Sequence, residues 1–314
     1  MISAPLIFEP IPMERVWGGR RLEIMFGKPL PPGAPIGEVW EFVDREEAQS
    51  VVHKGPLRGL TLGELWSGHR EEIFGVSAIS HPSPRFPLLI KLLDARDRLS
   101  VQVHPPARLA KALNGEPKTE VWYFARCAAG ARIYAGLRKG TTRASFEALL
   151  HNGQVEQALH EIAVSTGDSI FIPSGRLHAI GEGNVIIEIQ QNSDSTYRVY
   201  DWNRTGLDGK SRTLHIEESL ACTNFEDFEP EIEHVEKGAI ADCEFFHVER
   251  LVLSNPEPAV RPGHFAIYTV LGGFVECGGE VFTPGAFFLV PASASTLTVS
   301  PCGGEAALLC SVLS

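Results

Sequence analysis

The chain of 314 residues is 44% hydrophobic and 21% charged, which is ordinary for a globular protein and leaves room for two domains. Its formal net charge of -11 argues against nucleic acid and against an anionic membrane as partners, because both attract basic surfaces. Residues 1–19 lack the basic start of a signal peptide, and no run of about 18 apolar residues predicts a transmembrane helix.

The six cysteines are scattered along the chain and form no C-x-x-C pair. This spacing is typical of reduced thiols, so it predicts a cytoplasmic protein without a disulfide framework or a thiolate zinc site. A bond between Cys302 and Cys310 is the one pairing that we leave open.

Short stretches rich in Val, Ile, Trp, Tyr and Phe, separated by Gly and Pro, dominate the first 202 residues and predict a mainly β chain. Helices are few. Thr61 and Glu64 have the spacing of a capping box, and a small helical insert of two short helices, broken at Gly153, is expected at about 142–163. The predicted strands lie near 38–43, 87–93, 99–104, 119–125, 169–173, 185–191 and 196–202, and further helices lie near 61–68, 106–115 and 214–225.

An acidic segment at 225–238 has no strand pattern and predicts a boundary between a domain at 1–235 and a domain at 236–314. Short strands resume beyond it. The second domain also contains a near-repeat of the first, because "GDSIFIPSGRLH" at 167–178 and "GAFFLVPASAST" at 285–296 share the spacing of their first Gly and their Pro. Thr296 stands where the first copy has His178, so we expect two similar barrels of which the second holds no metal.

Candidate site residues occur on two predicted strands and after one turn. Residues two apart share a strand face, which groups Ser100 with Gln102 and His104, and groups Lys118 with Glu120. Taken singly, such patterns are more often a solvated strand face or a surface ion pair of little energetic value. A lone histidine in an apolar run, such as His178 in "PSGRLHAIG", is likewise more often a hydrogen-bonded core residue.

Together, these segments resemble the metal site of cupins, whose distal motif Gly-x5-Pro-x-Gly-x2-His is matched at 167–178. Two departures from the usual cupin pattern fit one family: Gln102 replaces the first His, and Glu120 follows an inserted segment at 106–115. From about residue 10 to 220 the chain resembles type I mannose-6-phosphate isomerase in its short bacterial form. The segments that carry this resemblance are "VWGGRRL", "IGEVWE", "LSVQVHPP", "KTEVWYF", "PSGRLHAIG", "EIQQNSDSTYRVYDWNR" and "GKSRTLHIEESL".

The resemblance implies two cupin-type (jelly-roll) β-barrels, the second degenerate, and one Zn²⁺ per chain held by four residues of the first barrel. It also implies reversible conversion of mannose 6-phosphate to fructose 6-phosphate through a cis-enediol. Imidazole and oxygen ligands with an open position suit a catalytic zinc, although the same ligand types accept Mn, Fe or Co. The implied ligands are Gln102, His104, Glu120 and His178.

Arg198 matches the family's catalytic arginine, and the alternative is a structural arginine stacked on Tyr200 and Trp202. The general base is left open between Lys118 and a carboxylate such as Glu120. A non-haem iron dioxygenase and a non-catalytic sugar-binding cupin are the other functions that the sequence allows. The donors expected nearest to a substrate phosphate, besides Arg198, are Ser100, Lys91 and Arg204.

Overall fold

The computed structural model describes residues 4–314, so the first three residues of the predicted N-terminal domain lie outside the described residues. The mainly β prediction is confirmed: strands form four sheets within this range, and every pair of neighbouring strands in them is antiparallel. None of the helices in residues 4–314 combines the length and the apolar character that a membrane span requires.

The first two sheets define what we call the N-terminal unit. A seven-stranded sheet has the order β1-β2-β3-β10-β5-β8-β12, and a five-stranded sheet has the order β11-β4-β9-β6-β7. Their strands are β1 (Ile11–Gly19), β2 (Ile36–Phe42), β3 (Leu88–Ala95), β4 (Val101–Val103), β5 (Glu120–Cys127), β6 (Arg132–Leu137), β7 (Leu159–Ala163), β8 (Asp168–Ile172), β9 (His178–Ile180), β10 (Asn184–Gln191), β11 (Tyr197–Tyr200) and β12 (Glu233–His234).

The other two sheets define the C-terminal unit. A five-stranded sheet has the order β13-β14-β21-β16-β19, and a four-stranded sheet has the order β15-β20-β17-β18. Their strands are β13 (Gly238–Asp242), β14 (His247–Leu253), β15 (Glu257–Pro258), β16 (Ala266–Gly272), β17 (Val275–Cys277), β18 (Glu280–Phe282), β19 (Phe287–Val290), β20 (Thr298–Pro301) and β21 (Ala306–Val312).

Short helices cover the sheets. In α2 the Thr61 side chain accepts from the Glu64 amide, and the Glu64 side chain accepts in return, which confirms the predicted capping box. The helices are α1 (Arg21–Phe26), α2 (Leu62–Gly68), α3 (Val76–Ile79), α4 (Ala107–Ala110), α5 (Arg143–His151) and α6 (Ile216–Cys222), with a π-helical turn at Arg70–Phe74 and 3-10 turns at Lys111–Leu113, Val155–Ala158 and Ala292–Ala294.

The expected helical insert at 142–163 is only partly helical. Helix α5 is followed by one 3-10 turn, and residues 159–163 form strand β7 instead of the end of a second helix. The physical reason is tertiary: β7 pairs with the outer edge of β6, where the unpaired backbone groups of the five-stranded sheet offer hydrogen bonds that a local helix would not use.

Apolar side chains fill the space between the two sheets of the N-terminal unit, with Trp122, Phe124, Ile133 and Ile172 among the fully buried members. The opposite face of the seven-stranded sheet packs against helix α2 and against strands β16 and β19 of the C-terminal unit in one continuous cluster. Strand β3 is therefore buried along its whole length. The candidate site lies at one end of the inner layer, where β4, β5 and β9 begin or end.

Candidate metal centre

The two sheets of the N-terminal unit meet around one buried cluster of potential ligands. Strands β4 and β9 pair side by side with Gln102 opposite His178, and Glu120 begins β5 on the facing sheet. One ligand atom each from His104, Glu120 and His178 lie within 4.8 Å of one another. These three side chains are at most 1% exposed, so the cluster is shielded from bulk water.

Hydrogen bonds to the backbone fix the orientation of both imidazoles. His104 Nδ1 lies 2.8 Å from the carbonyl oxygen of Ser195, and His178 Nδ1 lies 2.9 Å from the carbonyl oxygen of Arg176. Because a carbonyl oxygen only accepts, each Nδ1 donates its proton there and each Nε2 keeps a lone pair. A backbone acceptor on the remote nitrogen is the arrangement that orients metal-binding histidines.

The carboxylate of Glu120 points into the same space. Its Oε2 lies 3.6 Å from His104 Nε2, and its Oε1 lies 3.7 Å from His178 Nε2. Among the described residues, no hydrogen bond is made by His104 Nε2 or by either oxygen of Glu120, although the ammonium of Lys118 lies 3.3 Å from Oε2. Two buried imidazole nitrogens that converge on a buried carboxylate at these distances fit a divalent cation.

Burial dominates the acid–base chemistry of these groups. It lowers the pKa of His178 to about 4 and the pKa of His104 well below its usual range, and the charge of Lys118 acts in the same direction. Burial, together with the charge of Glu188, raises the pKa of Glu120 to about 7. Both histidines are therefore neutral at neutral pH and able to bind a metal. A bound cation would favour the ionised form of Glu120, which burial disfavours.

Gln102 lies beside this cluster, and the nitrogen of its side-chain amide faces His178. The Nε2 of Gln102 is 3.3 Å from His178 Nε2 and donates to its lone pair. Rotation of the terminal amide by about 180° would bring Oε1, an oxygen donor, to the same place. The structure thus brings all four predicted ligands together, and Gln102, which is only half-buried, is the most peripheral of them.

The turn after β8 holds the three site strands in place. Gly175 has a φ of +95°, which favours glycine, and its amide donates to the carbonyl oxygen of His104 at 2.9 Å. The hydroxyl of Ser174 accepts from the amide of Lys118 at 3.0 Å, just before β5 begins. One tight turn therefore links β9, which begins with His178, to both β4 and β5.

Buried charges of alternating sign continue from the cluster along the inner face of the seven-stranded sheet. The ammonium of Lys118 lies 3.3 Å from Glu120 and 4.0 Å from Glu188. The ammonium of Lys91 lies 3.0 Å from Glu188 and 4.0 Å from Glu38. Burial alone would raise the pKa of Glu38, but Lys91 and other donors outweigh it and lower the pKa to about 2. Each buried charge has an opposite neighbour, as the low-dielectric interior requires.

The sequence interpretation missed Glu188 and Glu38, and it assigned Lys91 to the substrate phosphate. The sequence nevertheless contains a sign that these three residues are paired, because each is a charged residue in a segment rich in apolar side chains. The segments are "VIIEIQQ", "EVWEFV" and "PLLIKLL". Such residues are seldom fully buried unless they are paired.

Arg198 lies one strand away from the cluster. It is directly opposite Gln102 in the pairing of β11 with β4, so the two side chains share a face of the sheet. Its Nε lies 3.3 Å from Ser100 Oγ, and its NH1 donates to the carbonyl oxygen of Thr213 at 2.9 Å. The structure thus joins the predicted pair Arg198 and Ser100 by a hydrogen bond, beside Gln102.

The fourth predicted phosphate donor, Arg204, contacts other groups. Its Nε donates to Asp201 at 3.0 Å, and its NH1 lies 3.4 Å from Asp97, so its guanidinium is held by residues outside the ligand cluster. The guanidinium stacked on Trp202, at 3.9 Å from the ring centroid, belongs to Arg98. It occupies the aromatic contact that the structural alternative assigned to Arg198.

Two comparisons with known proteins bear on this site. The family model of the type I phosphomannose isomerase catalytic domain matches residues 8–136, which include Gln102, His104 and Glu120. Mannose-6-phosphate isomerase ManA of Bacillus subtilis (strain 168) is 37% identical over 282 residues, which cover 87% of this chain and 87% of ManA.

The chain belongs to the type I phosphomannose isomerase family.

Two solved isomerase structures resemble this chain over nearly its whole length. The crystal structure of mannose 6-phosphate isomerase from Bacillus subtilis is 29% identical, with a TM-score of 0.85 over 98% of this chain and 99% of that chain. A mannose 6-phosphate isomerase bound with zinc and yttrium shares the fold at 17% identity, with a TM-score of 0.73 over 98% of this chain and 99% of that chain. The protein is thus an aldose–ketose isomerase, and family membership decides against the dioxygenase and the non-catalytic sugar-binding cupin.

Proposed function

We propose that this isomerase interconverts mannose 6-phosphate and fructose 6-phosphate with one Zn²⁺ held by Gln102, His104, Glu120 and His178. The observation that carries the proposal is the buried convergence of two imidazole nitrogens on a carboxylate that accepts no hydrogen bond from the described residues. The relatives' names supply the substrate. Zinc suits this donor set, and a relative of the same fold binds zinc.

The reaction moves a proton between C2 of the aldose and C1 of the ketose through a cis-enediol. When bound, Zn²⁺ would offset the negative charge that develops on the sugar oxygens. Lys118, whose ammonium lies 3.3 Å from Glu120 and 4.0 Å from Glu188, would hold or release a proton at the cluster. We therefore assign Lys118 to proton transfer, which typically contributes about 10²–10⁴ in rate.

Arg198 would bind the phosphate or the enediolate. A guanidinium is planar and permanently charged, and Arg198 shares a face of the sheet with Gln102, which it opposes in the strand pairing. Ser100, which accepts from Arg198 at 3.3 Å, would orient it and share the phosphate. For Lys91 we propose an indirect role, because its ammonium is enclosed by Glu188 and Glu38.

We also propose that residues 1–235 form the catalytic domain and residues 236–314 a second cupin-type barrel without a metal. Support for this division comes from the sheets, since β12 ends at His234 within the first pair of sheets and β13 begins the second pair at Gly238. A cytoplasmic location is part of the same proposal, and the six cysteines, all free, are compatible with it.

Metal analysis and an isomerisation assay on purified, chelated and zinc-restored enzyme test the proposal. We expect one zinc per chain, loss of fructose 6-phosphate isomerisation on chelation, and its return with Zn²⁺. His104→Ala should lose both the metal and the activity, because it removes an unpartnered buried nitrogen. Activity that survives complete metal removal would contradict the proposal.

A further inference from the structure

The C-terminal unit repeats the strand order and the register of the N-terminal unit. The order β14-β21-β16-β19 corresponds to β3-β10-β5-β8. Glu120 of β5 pairs with Ile172 of β8, and Ala266 of β16 pairs with Val290 of β19, in each case directly before the proline of the sequence repeat. Ala266 therefore occupies the position that Glu120 has in the ligand cluster.

The row of buried charges has a counterpart as well, with different chemistry. In the C-terminal unit a carboxylate, Glu249, stands at the position of Lys91, and Cys310 stands at the position of Glu188. Thr296, the counterpart of His178 in the repeat, is exposed in a turn. The two corresponding cross-strand rows are Lys91–Glu188–Trp122 and Glu249–Cys310–Tyr268.

This second row lines a cavity of about 500 Å³ between the sheets of the C-terminal unit. Its walls are largely apolar, with Leu251, Val260 and Val312 beside Tyr268, whose hydroxyl donates to the carbonyl oxygen of Ala259 at 2.6 Å. The four-stranded sheet ends at β15, whereas its N-terminal counterpart continues from β4 to β11, so one side of the cavity lacks a covering strand within the described residues. The volume suits a small organic molecule.

Glu249 supplies the charge inside this cavity. It is half-buried, and no hydrogen bond or ion pair to its carboxylate is present within residues 4–314. The lining also contains two further carboxylates, Asp242 and Glu257, and the guanidinium of Arg261. It contains two imidazoles as well, His264 and His247, and Nδ1 of His247 lies 3.3 Å from Asp242. A partly desolvated carboxylate gains from a cationic partner, and the surplus of negative charge disfavours a phosphate.

We propose that the cavity of the C-terminal unit binds a small organic cation with an apolar body, whose ammonium or amidinium group lies against Glu249. The apolar walls would cover the body of such a molecule, and the open side would admit it. The proposal is independent of the isomerase reaction, since none of these residues belongs to the ligand cluster.

Benzylamine and the neutral benzyl alcohol are matched probes for this site, titrated by calorimetry into the full-length, zinc-loaded enzyme. We expect benzylamine to bind the wild type and benzyl alcohol to bind at least about tenfold more weakly, because a hydrogen bond to a charged group is worth about 1.5–3 kcal/mol. Glu249→Gln should weaken benzylamine by a similar factor and leave benzyl alcohol unchanged.

Control variants make the result specific. Glu305→Gln removes an exposed carboxylate of the same unit outside the cavity and should leave the affinity for benzylamine unchanged. Leu251→Phe, which fills the cavity without changing charge, should weaken both probes and covers the case that Glu249→Gln fails to fold. Isomerisation should be the same in all three variants. The proposal is overturned if the wild type binds no benzylamine at millimolar concentration, if benzyl alcohol binds equally well, or if Leu251→Phe has no effect.

Discussion

Replacement of Glu120 with Gln should have opposite effects on the metal-free and the zinc-loaded isomerase. The carboxylate of Glu120 is fully buried, and burial outweighs the attraction of the Lys118 ammonium 3.3 Å from its Oε2. Without a cation, its ionisation opposes folding, so a neutral amide of nearly the same shape removes that cost. With zinc bound, the same substitution removes the negative ligand.

The cost in the metal-free enzyme depends on pH in a definite way. Burial, together with the charge of Glu188, raises the pKa of Glu120 from 4.5 to about 7, so the unfolded chain releases this proton at lower pH than the folded chain. Below pH 4.5 both states keep the proton and there is no cost. The cost grows between these two values and is constant above about pH 7, where it reaches about 3 kcal/mol at about 1.4 kcal/mol per pH unit.

Urea denaturation of the chelated wild type and of the chelated Glu120→Gln variant, at about pH 5 and about pH 8, measures the free-energy cost of ionising Glu120. Relative to the wild type, the free energy of unfolding of the variant should rise by about 2.5 kcal/mol from about pH 5 to about pH 8, because a smaller part of the cost is already present at pH 5. The pKa of about 7 already includes the attraction of Lys118, so the pH-dependent part reports the ionisation of Glu120 in its folded surroundings. A difference between variant and wild type that is the same at both pH values would refute the reasoning. Restored zinc should reverse the order of stability, because ligand binding stabilises the wild type more.

Three further substitutions separate chemistry from folding. Arg198→Ala should keep its zinc and lose about 10²–10³ in kcat, with a small drop in Tm from its two lost hydrogen bonds. Wild-type turnover would mean that the role of Arg198 is structural. A change confined to KM would mean that Arg198 binds the phosphate. Lys118→Met should also keep its zinc and lose at least about 10² in kcat. Lys118→Arg should be equally slow, although it keeps the positive charge. A fully active Lys118→Met would mean that another group transfers the proton. Thr61→Ala breaks the capping box of α2 and should lower the free energy of unfolding by about 1 kcal/mol while kcat stays unchanged; unaltered stability would mean that the cap contributes nothing.

Features that depend on neighbouring residues could be predicted from the sequence. The strands, the capping box of α2 and the turn before His178 follow from side-chain type at fixed spacing, and the structure has each of them. The repeat of the Gly-x5-Pro frame likewise predicted a second β-unit, because a strand followed by a tight turn is specified within a dozen residues. The cluster of His104, Glu120 and His178 came from motif spacing together with family resemblance.

Contacts between residues far apart in the sequence could not be predicted in this way, because they depend on how the strands pair. Residues 159–163 form strand β7 because they pair with the edge of β6. The sequence of this segment alone does not indicate that pairing. The buried row of Lys91, Glu188 and Glu38 exists because β3 pairs with β10 and with β2 in one register, and a slip of one residue would turn these charges to the other face. Register is set by the packing of whole sheets, whereas a strand in the sequence specifies only its own alternation of faces.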